Sequence, residues 1–250
     1  MSELGALAIG WCVLTLLLAG TVKGLLGIGI PIISISLLSL VLDVPTAAAL
    51  LPIPILVANL WQSLTSGFAP AALARFWPLV LTLVVGTFVG ARMLVGFDER
   101  VLLGVVGTVV LAFSLTGHFP VSLRVPRRGE AWIGALVGLL AGVLSGMTTI
   151  AGPPVIMFLF ALRLDKDEFV GCISTLYLCA SVPLIVAFGW VGVLGAEALV
   201  WSSAAVLPIF AGMMLGQWLR PRVSQEAFRR GLLVVLLLVA LRLLQRAFGW

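Results

Sequence analysis

Apolar segments recur along almost the whole chain, at residues 4–26, 30–42, 46–66, 76–95, 101–117, 131–146, 153–163, 169–190, 197–218 and 229–248. Such a pattern leaves few folds open. A soluble domain needs many more charges to cover its surface, and here 62% of 250 residues are hydrophobic and only 10% charged. The apolar excess therefore faces lipid. In lipid the backbone must satisfy its own hydrogen bonds, which permits helices or a closed barrel. A barrel would alternate apolar and polar residues, whereas stretches such as 231–241 are unbroken. The expected fold is all-α: a polytopic integral membrane protein of about ten helical segments.

About 20 residues of helix cross a bilayer core, and most segments come near or exceed that length. Residues 30–42 and 153–163 do not, and each follows an interruption rich in Gly and Pro. The formal net charge is +5, but the basic residues sit at the ends of apolar runs rather than in one patch. That placement implies a lipid bilayer and no nucleic acid. Cys12, Cys172 and Cys179 lie in apolar stretches and read as small buried hydrophobes. The amino end carries Glu3 and no basic residue before Lys23. The first segment is thus expected to be a retained helix rather than a signal peptide.

The two halves resemble each other. Leu17-Leu18-Ala19-Gly20 recurs as Leu139-Leu140-Ala141-Gly142, 122 positions later. The same offset pairs Gly24 with Gly146, Pro31 with Pro153, Leu42-Asp43 with Leu164-Asp165, Gly67 with Gly189, Phe88 with Phe210 and Gly90 with Gly212. Apolar matches are cheap in such a composition; Gly, Pro and Asp at one offset are not. The expected organisation is a first transmembrane repeat over 1–117, a basic linker over 118–130 and a second repeat over 131–250.

Five segments per half is odd, so the second copy enters the membrane from the opposite side, an inverted repeat. Ten crossings with the linker cytoplasmic put Lys23, Arg75, Arg124, Arg127, Arg128, Arg163, Lys166, Arg220, Arg222, Arg229 and Arg230 inside. Only Arg92, Arg100, Arg242 and Arg246 then fall outside. This agrees with the positive-inside rule and places both termini outside. Making the two short segments re-entrant gives eight crossings and puts Arg220 to Arg230 on the outer side. Ten crossings are preferred.

Chemistry is expected at the interruptions. Lys23-Gly24-Leu25-Leu26-Gly27-Ile28-Gly29-Ile30-Pro31 runs into one short helix, and Ser145-Gly146-Met147-Thr148-Thr149-Ile150-Ala151-Gly152-Pro153-Pro154 into the other. Clustered Gly lets the backbone leave helical geometry, and Pro suits the first turn of a new helix. That new helix presents free N–H groups and a positive dipole end, which binds anions without a basic side chain. Two such ends in an inverted repeat are expected to face each other at a central site. The plainer reading is close helix packing by small residues. It is favoured outright for Gly86-Gly90 and Gly212-Gly216.

Asn59, Gln62 and Ser66 share a helix face, with Ser63 and Thr65 beside them. Such amides turn toward a cavity or another helix. The equivalent helix offers Ser174, Thr175, Ser181 and Tyr177, the only tyrosine. Interhelical hydrogen bonding is the competing reading for each. Lys23 could attract an anion, but its place near a helix end favours snorkelling to the inner surface. Asp165, Lys166, Asp167 and Glu168 read as a helix cap, and His118 has no assigned role. Expected anion-binding residues are Gly27, Gly29, Pro31, Asn59, Gln62, Thr148, Thr149, Gly152, Pro153 and Tyr177. No nucleophile–base pair and no metal-ligand grouping appears, so neither an enzyme nor a cofactor is expected.

At these motifs the chain resembles the sulfite exporter TauE/SafE family of bacterial membrane proteins. The resemblance rests on Gly24-Leu25-Leu26-Gly27-Ile28-Gly29 with Pro31, on Leu56-Val57-Ala58-Asn59-Leu60-Trp61-Gln62 and on Gly152-Pro153-Pro154. It rests also on Lys166-Asp167-Glu168-Phe169 and on Gly212-Met213-Met214-Leu215-Gly216. It implies a multi-pass protein of the bacterial inner (cytoplasmic) membrane that exports or imports sulfite, a sulfonate or a related organic anion. A proton or sodium gradient is the implied coupling partner, and a homodimer is one option. This chain departs from the family's denser glycine cluster at Ile30 and at Thr148-Thr149-Ile150-Ala151, which reshapes the anion pocket. A non-transporting scaffold or assembly factor is the other class, but a scaffold has no need of helices broken at matched positions.

Overall fold

The computed structural model describes residues 5–66, 69–116 and 125–249. Among them all regular structure is helical: α1 (Ala6–Leu26), α2 (Ile30–Leu38), α3 (Val44–Ala49), α4 (Pro52–Ser66), α5 (Ala69–Gly96), α6 (Glu99–Thr116), α7 (Glu130–Thr148), α8 (Gly152–Ala161), α9 (Lys166–Trp190), α10 (Ala196–Ala204), α11 (Val206–Leu219) and α12 (Gln225–Phe248). His118, Gly67 and Arg124 lie outside the described residues, as do the side chains of Thr65, Ser66, Lys166 and Asp167.

The ten expected segments are present, but two are split. Segment 46–66 divides between α3 and α4, where Pro52 and Pro54 donate no backbone hydrogen bond and crowd the carbonyls of Ala48 and Leu50. Buried Ser202 satisfies that break: its Oγ donates to Leu50 O and accepts from the Ile53 N–H, each at 3.2 Å. Segment 197–218 divides between α10 and α11, four residues before Pro208. Pro78 likewise sets a kink in α5, where Phe76 leaves helical geometry (φ −107°, ψ 20°). Among the described residues seven helical stretches are long and apolar enough to cross a membrane: Ala6–Leu26, Val44–Leu64, Ala69–Gly96, Arg127–Thr148, Gly171–Trp190, Ala196–Leu219 and Arg230–Phe248. Their outward side chains are apolar, with Trp132 80% and Leu207 74% exposed, as lipid-facing helices require.

The chain packs as two compact units, each drawing on both halves of the sequence. Unit 1 comprises Met1–Pro54, Asp98–Pro120 and Ala198–Trp250. Its centre is the parallel pair α1 and α11. A Cβ on Gly20 would strike Ile209 O, one on Gly24 Met213 O, and one on Gly216 Thr21 O. Beside them α6 and α12 pack antiparallel, Gly104 against Ala247 and Gly107 against Leu244. The turn between α2 and α3 is held by charges of the sign each helix end favours. Arg246 Nη1 donates to Ser39 O at 2.7 Å, and both Glu99 oxygens accept from the Val44 N–H at 3.2–3.3 Å. Partial burial pushes the Glu99 carboxyl up; the Val44 amide opposes that, Asp43 adds to it and Arg246 opposes it.

Unit 2 comprises Ile55–Phe97 and Val121–Glu197. Its centre is a second parallel pair, α5 and α7, in which Gly86 lies on Leu139, Gly90 on Val143, Gly142 on Leu83 and Gly146 on Thr87. The packing reading of Gly86-Gly90 and Gly212-Gly216 is borne out, since none of these positions has room for a side chain. The equivalence is nevertheless shifted. Gly90 meets Val143 and Gly146, while Gly216 meets Thr21 and Gly24. Gly90 thus matches Gly216 rather than Gly212, about one helical turn from the 122-residue register. At one end of the unit Arg75 binds Glu130 (2.6 Å) and Glu168 (3.1 Å), joining α5, α7 and α9.

Candidate functional site

In unit 1 the chain leaves α1 through Gly27, in left-handed geometry (φ 81°), whose N–H donates to Lys23 O at 2.8 Å. Gly29 (φ 119°) then caps α2, and Pro31 stands in its first turn. Both turns demand glycine, because a Cβ at positive φ meets the following carbonyl. The Gly29 carbonyl accepts from Ile33 N–H at 3.1 Å, closing the first turn. Lys23, one turn before the break, does not snorkel to the surface: it is 5% exposed. Its Cα lies beside Gly24, which has no clearance from α11, so the lysine is set into the packed side of α1. A buried ammonium needs compensating charge or hydrogen bonds.

In unit 2 another residue makes the left-handed step, and the cap that follows differs: Ala151 is right-handed (φ −86°) where Gly29 is left-handed. Thr149, at the position equivalent to Gly27, takes the same left-handed conformation (φ 62°), and its N–H donates to Ser145 O at 2.7 Å. For a β-branched residue this conformation is an outlier. Thr149 is 2% exposed, and its Oγ1 is buried with no hydrogen-bond partner among the described residues. The neighbouring Thr148 differs: its Oγ1 donates to Leu144 O (2.8 Å) and accepts from Ile150 N–H (3.3 Å), so it holds the loop. Ala151 caps α8, which begins Gly152-Pro153-Pro154. Tyr177 of α9 reaches this end: its hydroxyl lies 3.0 Å from where a Cβ on Gly152 would stand.

Of the polar set on α4, Asn59 is 4% exposed and Ser63 is buried, bonded to Thr175 Oγ1 at 3.1 Å. Thr175 in turn donates to Gly171 O at 2.9 Å, so Ser63 and Thr175 tie α4 to α9 in unit 2. The structure thus brings Thr149, Gly152, Pro153 and Tyr177 together at one break. Gly27, Gly29, Pro31 and Lys23 line the other. Asn59 and Gln62 lie on α4. Sequence reading missed the grip of Arg246 and Glu99 on the α2–α3 turn, because Arg246 and Ser39 are 207 residues apart.

These features define the class of polytopic helical membrane proteins with interrupted helices. A family model described as Sulfite exporter TauE/SafE matches residues 12–243, nearly the full chain. The chain belongs to the TauE/SafE family, a family of membrane transporters. No curated protein and no solved structure matches it.

Proposed function

We propose that this protein is a secondary transporter that carries a small oxygen-bearing anion, sulfite or a sulfonate, across the bacterial inner membrane by alternating access. The observation that carries the reading is the repeated break. In each unit a left-handed residue ends one long helix and a short helix starts anew within buried structure. A helix amino end of this kind, out of water, favours an anion. Family membership supports the same substrate class.

Contacts inside the units support ten crossings over eight. With ten, residues 39–44, Glu99 and Arg246 all fall at the outer face, as their mutual bonds require. Arg75, Glu130 and Glu168 all fall at the inner face, as theirs require. Re-entrant short segments would put Arg246 opposite Ser39, and Glu168 opposite Arg75. They would also make α6 and α12 parallel, against their antiparallel contacts. Short helices α2 and α8 therefore change the side of the chain, as an inverted repeat of 1–117 and 131–250 needs.

The test is uptake of radiolabelled sulfite and sulfonates into proteoliposomes. Gly152→Ala sets a methyl against the Tyr177 hydroxyl, and Asn59→Leu removes a buried amide. Each is expected to cut flux at least about tenfold, the scale of one hydrogen bond to a charged group. Unchanged flux in both variants overturns the assignment.

A further inference from the structure

The two breaks offer different donors. In α2 the first-turn positions are Ile30, Pro31 and Ile32, so two carry an N–H. In α8 they are Gly152, Pro153 and Pro154, and only Gly152 carries one. Two consecutive prolines remove half of the backbone donors that make a helix amino end attractive to an anion. Unit 2 carries two hydroxyls around its break, one in the loop at Thr149 and one on Tyr177 against Gly152. Thr149 Oγ1 is buried without a partner among the described residues, and the Tyr177 hydroxyl lies at Gly152. The first half of the chain has no counterpart to either: Gly27 stands 122 positions before Thr149, and Ile55, itself in unit 2, 122 positions before Tyr177.

Hydroxyls differ from backbone amides in what they can read. A peptide N–H only donates, whereas a threonine or tyrosine hydroxyl donates in a chosen direction and also accepts. Several donors fixed around one point match the separate oxygens of a sulfonate or hydrogen sulfite ion. A spherical halide gains nothing from their arrangement, since it has no oxygen geometry to match. Threonine at a left-handed position also costs about 1–2 kcal/mol relative to glycine, which unit 1 avoids with Gly27. The side chain at 149 has to offset that strain by what it does.

We infer that the unit 2 break is the selectivity element of the protein, a hydroxyl-lined cradle in which Thr149, Tyr177 and the Gly152 amide bind the oxygens of a monoanionic oxyanion and discriminate it from halides. This rests on the anion-transport reading. The experiment is calorimetric titration of the purified full-length protein with methanesulfonate, with sulfite and with chloride. It compares wild type with Tyr177→Phe, Thr149→Val and Thr149→Ser. Tyr177→Phe and Thr149→Val are each expected to weaken methanesulfonate binding about tenfold or more. Chloride should move less than about threefold, and Thr149→Ser should stay within about threefold of wild type, because it keeps the hydroxyl. Should Thr149→Val not fold, Tyr177→Phe decides alone, as it keeps the ring. Methanesulfonate affinity unchanged in both hydroxyl-free variants, or a parallel loss of methanesulfonate and chloride, overturns the inference and leaves the transport reading intact. Wild type binding neither methanesulfonate nor sulfite overturns the transport reading, and this inference with it.

Discussion

Unit 1 and unit 2 both interrupt their helices after a left-handed residue, differ at the cap that follows, and line the break with different chemistry. Gly27 and Thr149 occupy equivalent positions, share left-handed geometry and donate to the carbonyl four residues back. Around that shared step unit 1 has glycine, backbone amides and a buried lysine, while unit 2 has two prolines and two hydroxyls. The left-handed geometry of the break is thus separable from the side chains around it. A left-handed cap needs only a residue that tolerates positive φ.

The largest effect should come from breaking what the units have in common. Gly24→Leu in unit 1 and Gly146→Leu in unit 2 each drive a side chain into a facing backbone carbonyl. Each is expected to destabilise by about 3 kcal/mol or more, seen as loss of the monodisperse peak in fluorescence-detected size exclusion. A mild effect in one unit alone would show that the two interfaces are not equivalent. Next comes Lys23→Met, which removes the charge that only unit 1 places at its break. Sulfite uptake is expected to fall at least about tenfold, and unchanged uptake would make the lysine structural.

The exchange of caps sharpens the comparison further. Gly27→Thr puts a β-branched residue at φ 81° and should cost about 1–2 kcal/mol of stability. Thr149→Gly relieves the same strain and should not lower the melting temperature, although it removes a hydroxyl from the site. A clear drop in melting temperature for Thr149→Gly would mean that the threonine is there for packing. The smallest effect concerns Glu99. Its carboxyl is pushed up in the folded state, so its ionisation opposes folding. That penalty is absent below the unfolded-state value of about 4.3 and appears as pH rises through the higher folded-state value. Glu99→Gln should therefore gain on wild type as pH rises through this window, by less than about 4 °C in melting temperature. A gain on acidification instead would reverse the sign of the burial effect.

The fold was legible where one force dominates. Long apolar runs admit only helices in lipid, and Gly86-Gly90 and Gly212-Gly216 mark backbone contact because nothing else competes there. Helix splitting was less legible: apolar continuity across 46–66 and 197–218 hid the effect of Pro52, Pro54 and Pro208, and at the first of these breaks Ser202 supplies the missing bonds. The two helix breaks, at 27–29 and 149–153, could be read from Gly and Pro alone. The roles of the two threonines could not, because sequence does not say that Thr148 Oγ1 bonds back to Leu144 while Thr149 Oγ1 has no partner among the described residues. Lys23 was misplaced for a related reason. Its distance from a helix end is visible in the sequence, but the side of α1 that packs is not.

Anomalous diffraction from crystals of the protein grown with selenite, a scattering analogue of sulfite, tests the central claim most directly. A selenium peak is expected within hydrogen-bonding reach of the Gly152 amide, Thr149 Oγ1 and the Tyr177 hydroxyl. Peaks confined to other surfaces, with both helix breaks empty at saturating selenite, would contradict it.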